Sequence, residues 1–394
     1  DILQAITKRA VALPSASARP APAVPRSTVA LGAHLPGSRR ASQPLLPLRD
    51  ALAEPRANVI VKAAGGDAAK ELDPLESAVA KVVGEKNAPG VVTIGYILMW
   101  YALNVGFNLL NKSIFKYFPF PWTVSTVHVI VGLVYCIGMY VIGLRDASFG
   151  RVITKKEFGA ILGPASMHAI GHVAANLSFA AVAISLTHTV KTLEPAFNVV
   201  LSQLILGQST PLPAVLSLIP IMVGVGLASA GELSFNWMGF STAMFSNLTF
   251  GFRAVWSKMA MSKTLSSTAV YAYTTLVSVV ICTPLALIME GGALKAGAEA
   301  AIAKVGAQQF WGDLFMVGLL YHLYNQFAFN TLQRVSPVSH GVCNVVKRIA
   351  IIFSSVLFFN QVMTTQAMVG TCIAIAGTYL YTEASKKPAA PKAA

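Results

Sequence analysis

Four cationic side chains stand inside apolar stretches of this chain: Lys191, Arg253, Lys347 and Arg348. A cation at the centre of a membrane span costs about 2.5–3.5 kcal/mol even on the lenient insertion scale. If all four faced lipid, the total would be on the order of 10–14 kcal/mol. They must therefore face a protein interior or a wet cavity. One carboxylate, Glu194, lies among them, three residues after Lys191 and on the same helical face, where it can pair with that lysine. Glu157, Glu232, Glu290, Asp313 and Glu383 stand at the ends of apolar stretches. Four cations against one anion predict a net positive cavity whose missing partner is an anionic ligand. Lysine as a compact charge and arginine as a planar fork together suit phosphate oxygens. In the competing arrangement Lys191–Glu194 is a buried brace and the other cations snorkel to headgroups. Lys347 and Arg348 stand ten or more residues from either end of their stretch, too deep for snorkelling, which serves groups near span ends. Arg253, followed by VWSKM, is the cation nearest a membrane surface.

Polar neighbours fall on common helical faces. His340, Asn344 and Lys347 form one stripe, and Arg348 lies ~100° round from Lys347 at 3.6 residues per turn. Tyr321, Tyr324 and Asn325 form a second stripe. His168, His172 and Asn176 form a third, and Asn104, Asn108 and Asn111 a fourth, which serves equally as helix–helix glue. His168 and His172 have the spacing of a metal pair, but no third ligand or catalytic glutamate accompanies them, so no metal site and no cofactor are expected. The four cysteines lie in apolar stretches without CxxC spacing and read as small buried residues.

Positioning these side chains requires a membrane domain. Of the 394 residues 55% are apolar and only 12% charged, against about 25% charged in soluble domains, and mean hydropathy is +0.61. From Val91 onward, apolar stretches recur at about the length that crosses ~30 Å of hydrocarbon. They are 91–111, 122–143, 158–181, 187–206, 212–230, 236–257, 269–289, 311–332, 337–359 and 362–383. The expected fold class is an all-α polytopic membrane protein of ten transmembrane helices. MVGVGLASAG at 222–231 and GTCIAIAGTYL at 370–380 are dense in small residues, which lets helix backbones approach closely in lipid.

A weak internal repeat aligns FAAVAISLTHTVK (179–191) with TLQRVSPVSHGVCNVVK (331–347), His188 falling on His340. It predicts two five-helix halves, 91–230 and 231–385. Five is odd, so the halves are inverted, an arrangement common in secondary transporters. An even helix count puts both termini on one side. On that side stand nine basic residues, Arg145, Arg151, Lys155, Lys156, Lys258, Lys263, Arg334, Lys386 and Lys387; opposite stand four, Lys112, Lys116, Lys295 and Lys304. The positive-inside rule then puts the termini on the cytoplasm-like side, the stroma in a plastid.

The formal net charge of +14 invites a nucleic-acid reading, but its distribution argues against one. Residues 1–62 contribute +6 and the remainder +8, with no run of five basic residues. Residues 1–62 are rich in Ala, Ser, Pro and Arg and poor in acids, the composition of an organellar transit peptide, and Val59–Ala64 resembles a chloroplast processing site. Residues 63–90 read as a polar linker in which Asp73-Pro74 opens a short helix, and 386–394 as a disordered tail.

At the charged residues the sequence resembles a known family. SLTHTVKTLEPAFNVVLSQLILGQ (185–208), LLYHLYNQFAFNTLQRVSPVSHGVCNVVKR (319–348) and GTCIAIAGTYLY (370–381) look like the plastidic phosphate translocators of the drug/metabolite transporter superfamily. The likeness covers essentially all of 91–383, and the wording around AIAKVGAQQFWGDLF and the two following stretches resembles the triose-phosphate/phosphate type more than the hexose- or enolpyruvate-phosphate types. It implies ten helices in two inverted halves around a central site. It implies exchange of inorganic phosphate for triose phosphate or 3-phosphoglycerate across the chloroplast inner envelope. By position it implies that Lys191, Lys347 and Arg348 hold the phosphate group, with Tyr324, His172 and Arg253 around the rest of the substrate. One departure stands out: Ala174-Ala175 follow the span-three histidine where family members often carry Thr or Ser, which puts fine substrate preference in question. The partners expected are small phosphorylated metabolites, inorganic phosphate and membrane lipid, with no nucleic acid. The rival readings are a carrier of phosphoenolpyruvate, pentose phosphate or hexose phosphate, a nucleotide-sugar transporter of the same superfamily, and a membrane-embedded phosphatase or transferase. No DxD, HExxH or GxSxG favours the last.

Overall fold

The computed structural model describes residues 74–145, 148–260, 267–335 and 337–385. The expected transit peptide (1–62), the linker up to residue 73 and the tail (386–394) lie outside them, as do Lys263, Lys386 and Lys387 of the orientation argument. The described elements are all helical: α1 Pro74–Val83, α2 Ala88–Phe115, α3 Pro121–Val141, α4 Lys155–Ala181, α5 Ile184–Val190, a 3-10 turn Lys191–Leu193, α6 Glu194–Leu206, α7 Leu212–Leu216, α8 Leu218–Gly231, α9 Trp237–Ala260, α10 Ser267–Val305, α11 Ala307–Arg334, α12 Pro337–Phe358 and α13 Thr365–Ala384.

Local chemistry sets many of these boundaries. Proline opens α3, where its missing N–H and fixed φ cost nothing. Thr154 and Glu157 form a capping box at the start of α4, each side chain accepting the other's backbone N–H. Gly207 ends α6 at φ 61°, a left-handed conformation that glycine adopts without a Cβ clash. Pro195 has no N–H to donate to the carbonyl of Lys191. Glu194 N–H bonds that carbonyl instead, and the chain tightens into the 3-10 turn at Lys191–Leu193. The fourth expected stretch is therefore two helices joined at the lysine that matters.

Burial runs inside out relative to a soluble protein. Leu98, Val134, Val280 and Phe353 are more than half exposed on the outer faces, while Asn111, His128 and Asn247 are fully enclosed. Such a surface suits lipid. Five described stretches are long and apolar enough to cross a membrane: Ala88–Phe115, Pro121–Val141, Leu212–Gly231, Thr268–Val305 and Ser339–Phe358. Among the remaining helices, α4, α9 and α11 carry His168, His172, Arg253, Tyr321 and Tyr324, whose polarity lowers their hydropathy but faces a central cavity.

Helix pairing places the site. α4 packs along α9, α2 along α11, α3 along α10, and α8 along α13, with α12 resting on α2 and α5. The α8–α13 pair meets backbone to backbone. A Cβ at Gly224 would lie 2.6 Å from the carbonyl oxygen of Gly370, and one at Gly370 would lie 2.7 Å from that of Gly224. The small-residue stretches are thus a close-packing seam. Gly370→Ala should force the pair apart and lower stability by about 1–3 kcal/mol, as overpacking does. The check is thermal unfolding in detergent, where an unchanged midpoint would count against the seam.

Three of the four basic residues expected opposite the termini lie within helices. Lys112 lies inside α2 and donates to the carbonyls of Phe179 (2.7 Å) and Val182 (2.8 Å), capping the end of α4. α10 runs to Val305, well past residue 289, so Lys295 and Lys304 lie on a helix and not in a loop. Along the same helix, Glu290 accepts the N–H groups of Trp122 (3.1 Å) and Thr123 (2.8 Å) at the start of α3, where a carboxylate meets the positive end of the helix.

Candidate functional site

A cavity of about 310 Å³ lies between α2, α4, the α5–α6 break, α9, α11 and α12. All six side chains singled out as substrate-binding candidates line it: His172, Lys191, Arg253, Tyr324, Lys347 and Arg348. Its charge comprises four cations and the single carboxylate of Glu194. Arg253 belongs to this lining.

The cations are held by different means. Lys191, freed from a regular helix by the 3-10 turn, donates to Ser246 Oγ of α9 at 3.0 Å, and Ser246 Oγ donates to the Gly171 carbonyl at 3.0 Å. Lys347 donates to Asn344 Oδ1 at 2.9 Å and lies 4.7 Å above the Trp100 ring. Phe250 takes Lys191 at 4.6 Å and Arg253 at 4.9 Å from its ring centre. Arg253 Nη1 donates to His168 Nδ1 at 2.9 Å. Cation–π contact stabilises a charge without supplying a counter-ion, so these contacts leave the place of an anion open.

The expected Lys191–Glu194 pair does not form. Glu194 Oε2 instead accepts from Arg348 Nη2 at 3.2 Å, across the cavity on α12. Spacing along one helix suggested the first pairing. The packing of α12 on α5 brings a guanidinium within reach, and lysine finds a hydroxyl. Arg348 has further N–H groups in its fork beyond the one given to Glu194.

The far wall is built from imidazoles and phenols. His168 Nε2 and Tyr321 OH are 3.0 Å apart, and His172 Nε2 and His128 Nδ1 3.3 Å apart. The Tyr324 ring packs on Phe107 and Tyr321. In the Asn stripe, Asn111 donates to Asn176 at 2.7 Å and Asn108 Oδ1 meets His188 Nε2 at 2.9 Å, while Asn104 and Asn108 also line the cavity. Ala175, the second of the two alanines after His172 and Val173, lines the cavity. Among the described residues no three His, Cys, Asp or Glu side chains converge on a metal position. Sequence reasoning missed Trp100, Ser246 and Phe250. Phe250 stands one turn before Arg253, the one signal that could have revealed it.

A profile of the Triose-phosphate Transporter family matches residues 91–382, the whole helical region that builds this cavity. The chain belongs to that family. It is 50% identical over 294 residues to the chloroplastic triose phosphate/phosphate translocator of Spinacia oleracea, covering 74% of this chain and 72% of that one. The Brassica oleracea var. botrytis protein of the same name is 47% identical over 350 residues, covering 87% and 83%. The chloroplastic glucose-6-phosphate/phosphate translocator 2 of Arabidopsis thaliana is 39% identical over 294 residues, covering 74% of each chain. The cavity of this family member is rich in cations and poor in acids. Its volume lies at the small end of the roughly 300–1,000 Å³ range of ligand pockets.

Proposed function

We propose that this chain exchanges inorganic phosphate for triose phosphates and 3-phosphoglycerate across the chloroplast inner envelope by alternating access. The observation that carries the reading is the small cavity with four cations and one carboxylate, in a chain of this family. Identity of 47–50% to triose phosphate/phosphate translocators, against 39% to a glucose 6-phosphate one, favours three-carbon substrates. The cavity volume disfavours a nucleotide sugar. Lys191, Lys347 and Arg348 hold the phosphate group, and His172, Arg253 and Tyr324 meet the remainder of the substrate.

Ten spans in two inverted halves provide the moving parts. Helix pairing supports this reading: α4 with α9 mirrors α11 with α2, α10 with α4 mirrors α3 with α11, and α3–α10 and α8–α13 are self-related. So do the two links. Val182 (φ −132°, ψ 173°) and Val335 (φ −117°, ψ 160°) are both extended residues that bond back to the preceding helix, at Ser178 and Thr331. Both termini lie on the stromal side, and residues 1–62 direct import. Deleting them should abolish import into isolated chloroplasts and leave exchange in liposomes intact.

The test is uptake of labelled phosphate into proteoliposomes preloaded with phosphate, triose phosphate, 3-phosphoglycerate, phosphoenolpyruvate or glucose 6-phosphate. Stimulation by the three-carbon 3-phosphates and phosphate is expected. Stimulation by glucose 6-phosphate alone would replace the reading with a hexose-phosphate carrier, and phosphate release without exchange would make the protein a hydrolase.

A further inference from the structure

We propose that His168 is a positioning residue that fixes the Tyr321 hydroxyl as a hydrogen-bond donor into the cavity, so that the chain Arg253–His168–Tyr321 recognises oxygen atoms on the carbon skeleton of a bound phosphate ester. This rests on the reading of the cavity as an organic-phosphate site. The argument runs from one fact about arginine: a guanidinium has donors and no acceptor. Arg253 Nη1 stands 2.9 Å from His168 Nδ1, so that nitrogen offers its lone pair. The ring proton is then on Nε2. Nε2 faces Tyr321 OH at 3.0 Å and donates to it. Each ring nitrogen thus has a polar partner, which settles which way round the imidazole lies.

The tyrosine oxygen is consequently an acceptor from His168, and its own proton must go elsewhere. Among the described residues the Tyr321 hydroxyl has no hydrogen-bond partner besides His168, and Tyr321 lines the cavity. The ring cannot swing away. It is 3% exposed and held by His172 at 4.2 Å, His128 at 5.3 Å and Phe107 at 5.6 Å between ring centres. His168 is itself 4% exposed. Linked hydrogen bonds polarise one another, so the charge of Arg253 strengthens the phenol as a donor two bonds away. A second proton on His168 would point at the guanidinium, which keeps the chain in one direction.

A site built to hydrogen-bond a substrate oxygen discriminates strongly against a ligand lacking it. Inorganic phosphate has no carbon skeleton; 3-phosphoglycerate and triose phosphates do. The measured quantity is the ratio of apparent KM values for inorganic phosphate and 3-phosphoglycerate, in proteoliposomes with the full chain. Tyr321→Phe should lower the preference for 3-phosphoglycerate about tenfold. His168→Leu should lower it at least as much. His168→Gln, whose amide supplies both an acceptor and a donor, should restore it to within about threefold. Adding Tyr321→Phe to His168→Leu should lower it less than twofold further, because both changes break one chain. A Tyr321→Phe protein with the wild-type ratio overturns the proposal, and so do fully multiplicative effects of the two changes. If His168→Leu cannot be reconstituted, Tyr321→Phe and His168→Gln decide the matter alone. Wild-type protein that exchanges no organic phosphate would overturn the functional reading as well, an outcome distinct from an unaltered ratio in an active carrier.

Discussion

Lys347→Ala, Lys191→Ala and Arg348→Ala should each remove most phosphate exchange. Each cation is held in the cavity wall by contacts that leave its charge unneutralised or only partly neutralised. Lys347 is bonded to an amide oxygen and a tryptophan face, Lys191 to a hydroxyl and a phenylalanine face. The ligand is the remaining partner. Truncating one member of a buried charge pair typically costs 2–5 kcal/mol, which is roughly thirtyfold to several-thousandfold in affinity. Arg348→Ala should be the most severe. It removes a donor and also leaves Glu194 without its 3.2 Å partner, a carboxylate facing the incoming anion. Arg348→Lys should remain impaired, because an ammonium cannot bridge Glu194 and a phosphate as a planar fork does. The measurement is initial rate and KM for phosphate in preloaded vesicles. Wild-type exchange by Lys347→Ala would remove this cavity from consideration as the phosphate site.

Vesicles containing protein but no internal substrate should take up almost no phosphate, at rates a small fraction of those in preloaded ones. The reason is the charge of the cavity. Four cations and one carboxylate leave an empty site strongly positive. Closing that site to water would bring like charges into low dielectric, where their repulsion is several times that in water. A phosphate of charge near −2 cancels most of it. In the proposed two-half architecture the loaded carrier can then occlude and rock around a fixed site, while the empty one stays open to the side it last faced. Obligatory one-for-one exchange is the expected consequence. Doubly charged phosphate esters should exchange best, so raising the pH from 6 to 8 should favour triose phosphates through a second ionisation near about pH 6. The extra carboxylate of 3-phosphoglycerate should make it compete better when its phosphate is singly protonated. Sustained uptake into empty vesicles at near-preloaded rates would end the charge-locked mechanism.

The polytopic helical class, the positions of the cations and the presence of one anion among them are properties of the sequence. Lipid imposes them: apolar length must match the hydrocarbon, and each buried cation needs a reason to be there. That constraint made Lys191, Arg253, Lys347 and Arg348 legible before any geometry was known. Local rules also foresaw the helix opening at Pro74 and the close-packed glycine stretches. The partners of those charges were decided by tertiary structure. Spacing along one helix paired Glu194 with Lys191; the approach of α12 gave it to Arg348 instead. That Lys112 caps the end of α4 and that α10 runs on to Val305 are not legible either, because a hydropathy pattern cannot distinguish a solvated lysine from one whose ammonium finds carbonyls at the end of another helix. Ser246 carries no signal, and Phe250 only its place one turn before Arg253, since an aromatic and a serine in an apolar helix look like packing until α9 lies against α4 and the α5–α6 break. The direction of the hydrogen bonds from Arg253 through His168 to Tyr321 joins α9, α4 and α11, residues 68 to 153 apart in the chain. No local periodicity encodes such a connection, because it depends on which faces three helices turn toward one another after packing.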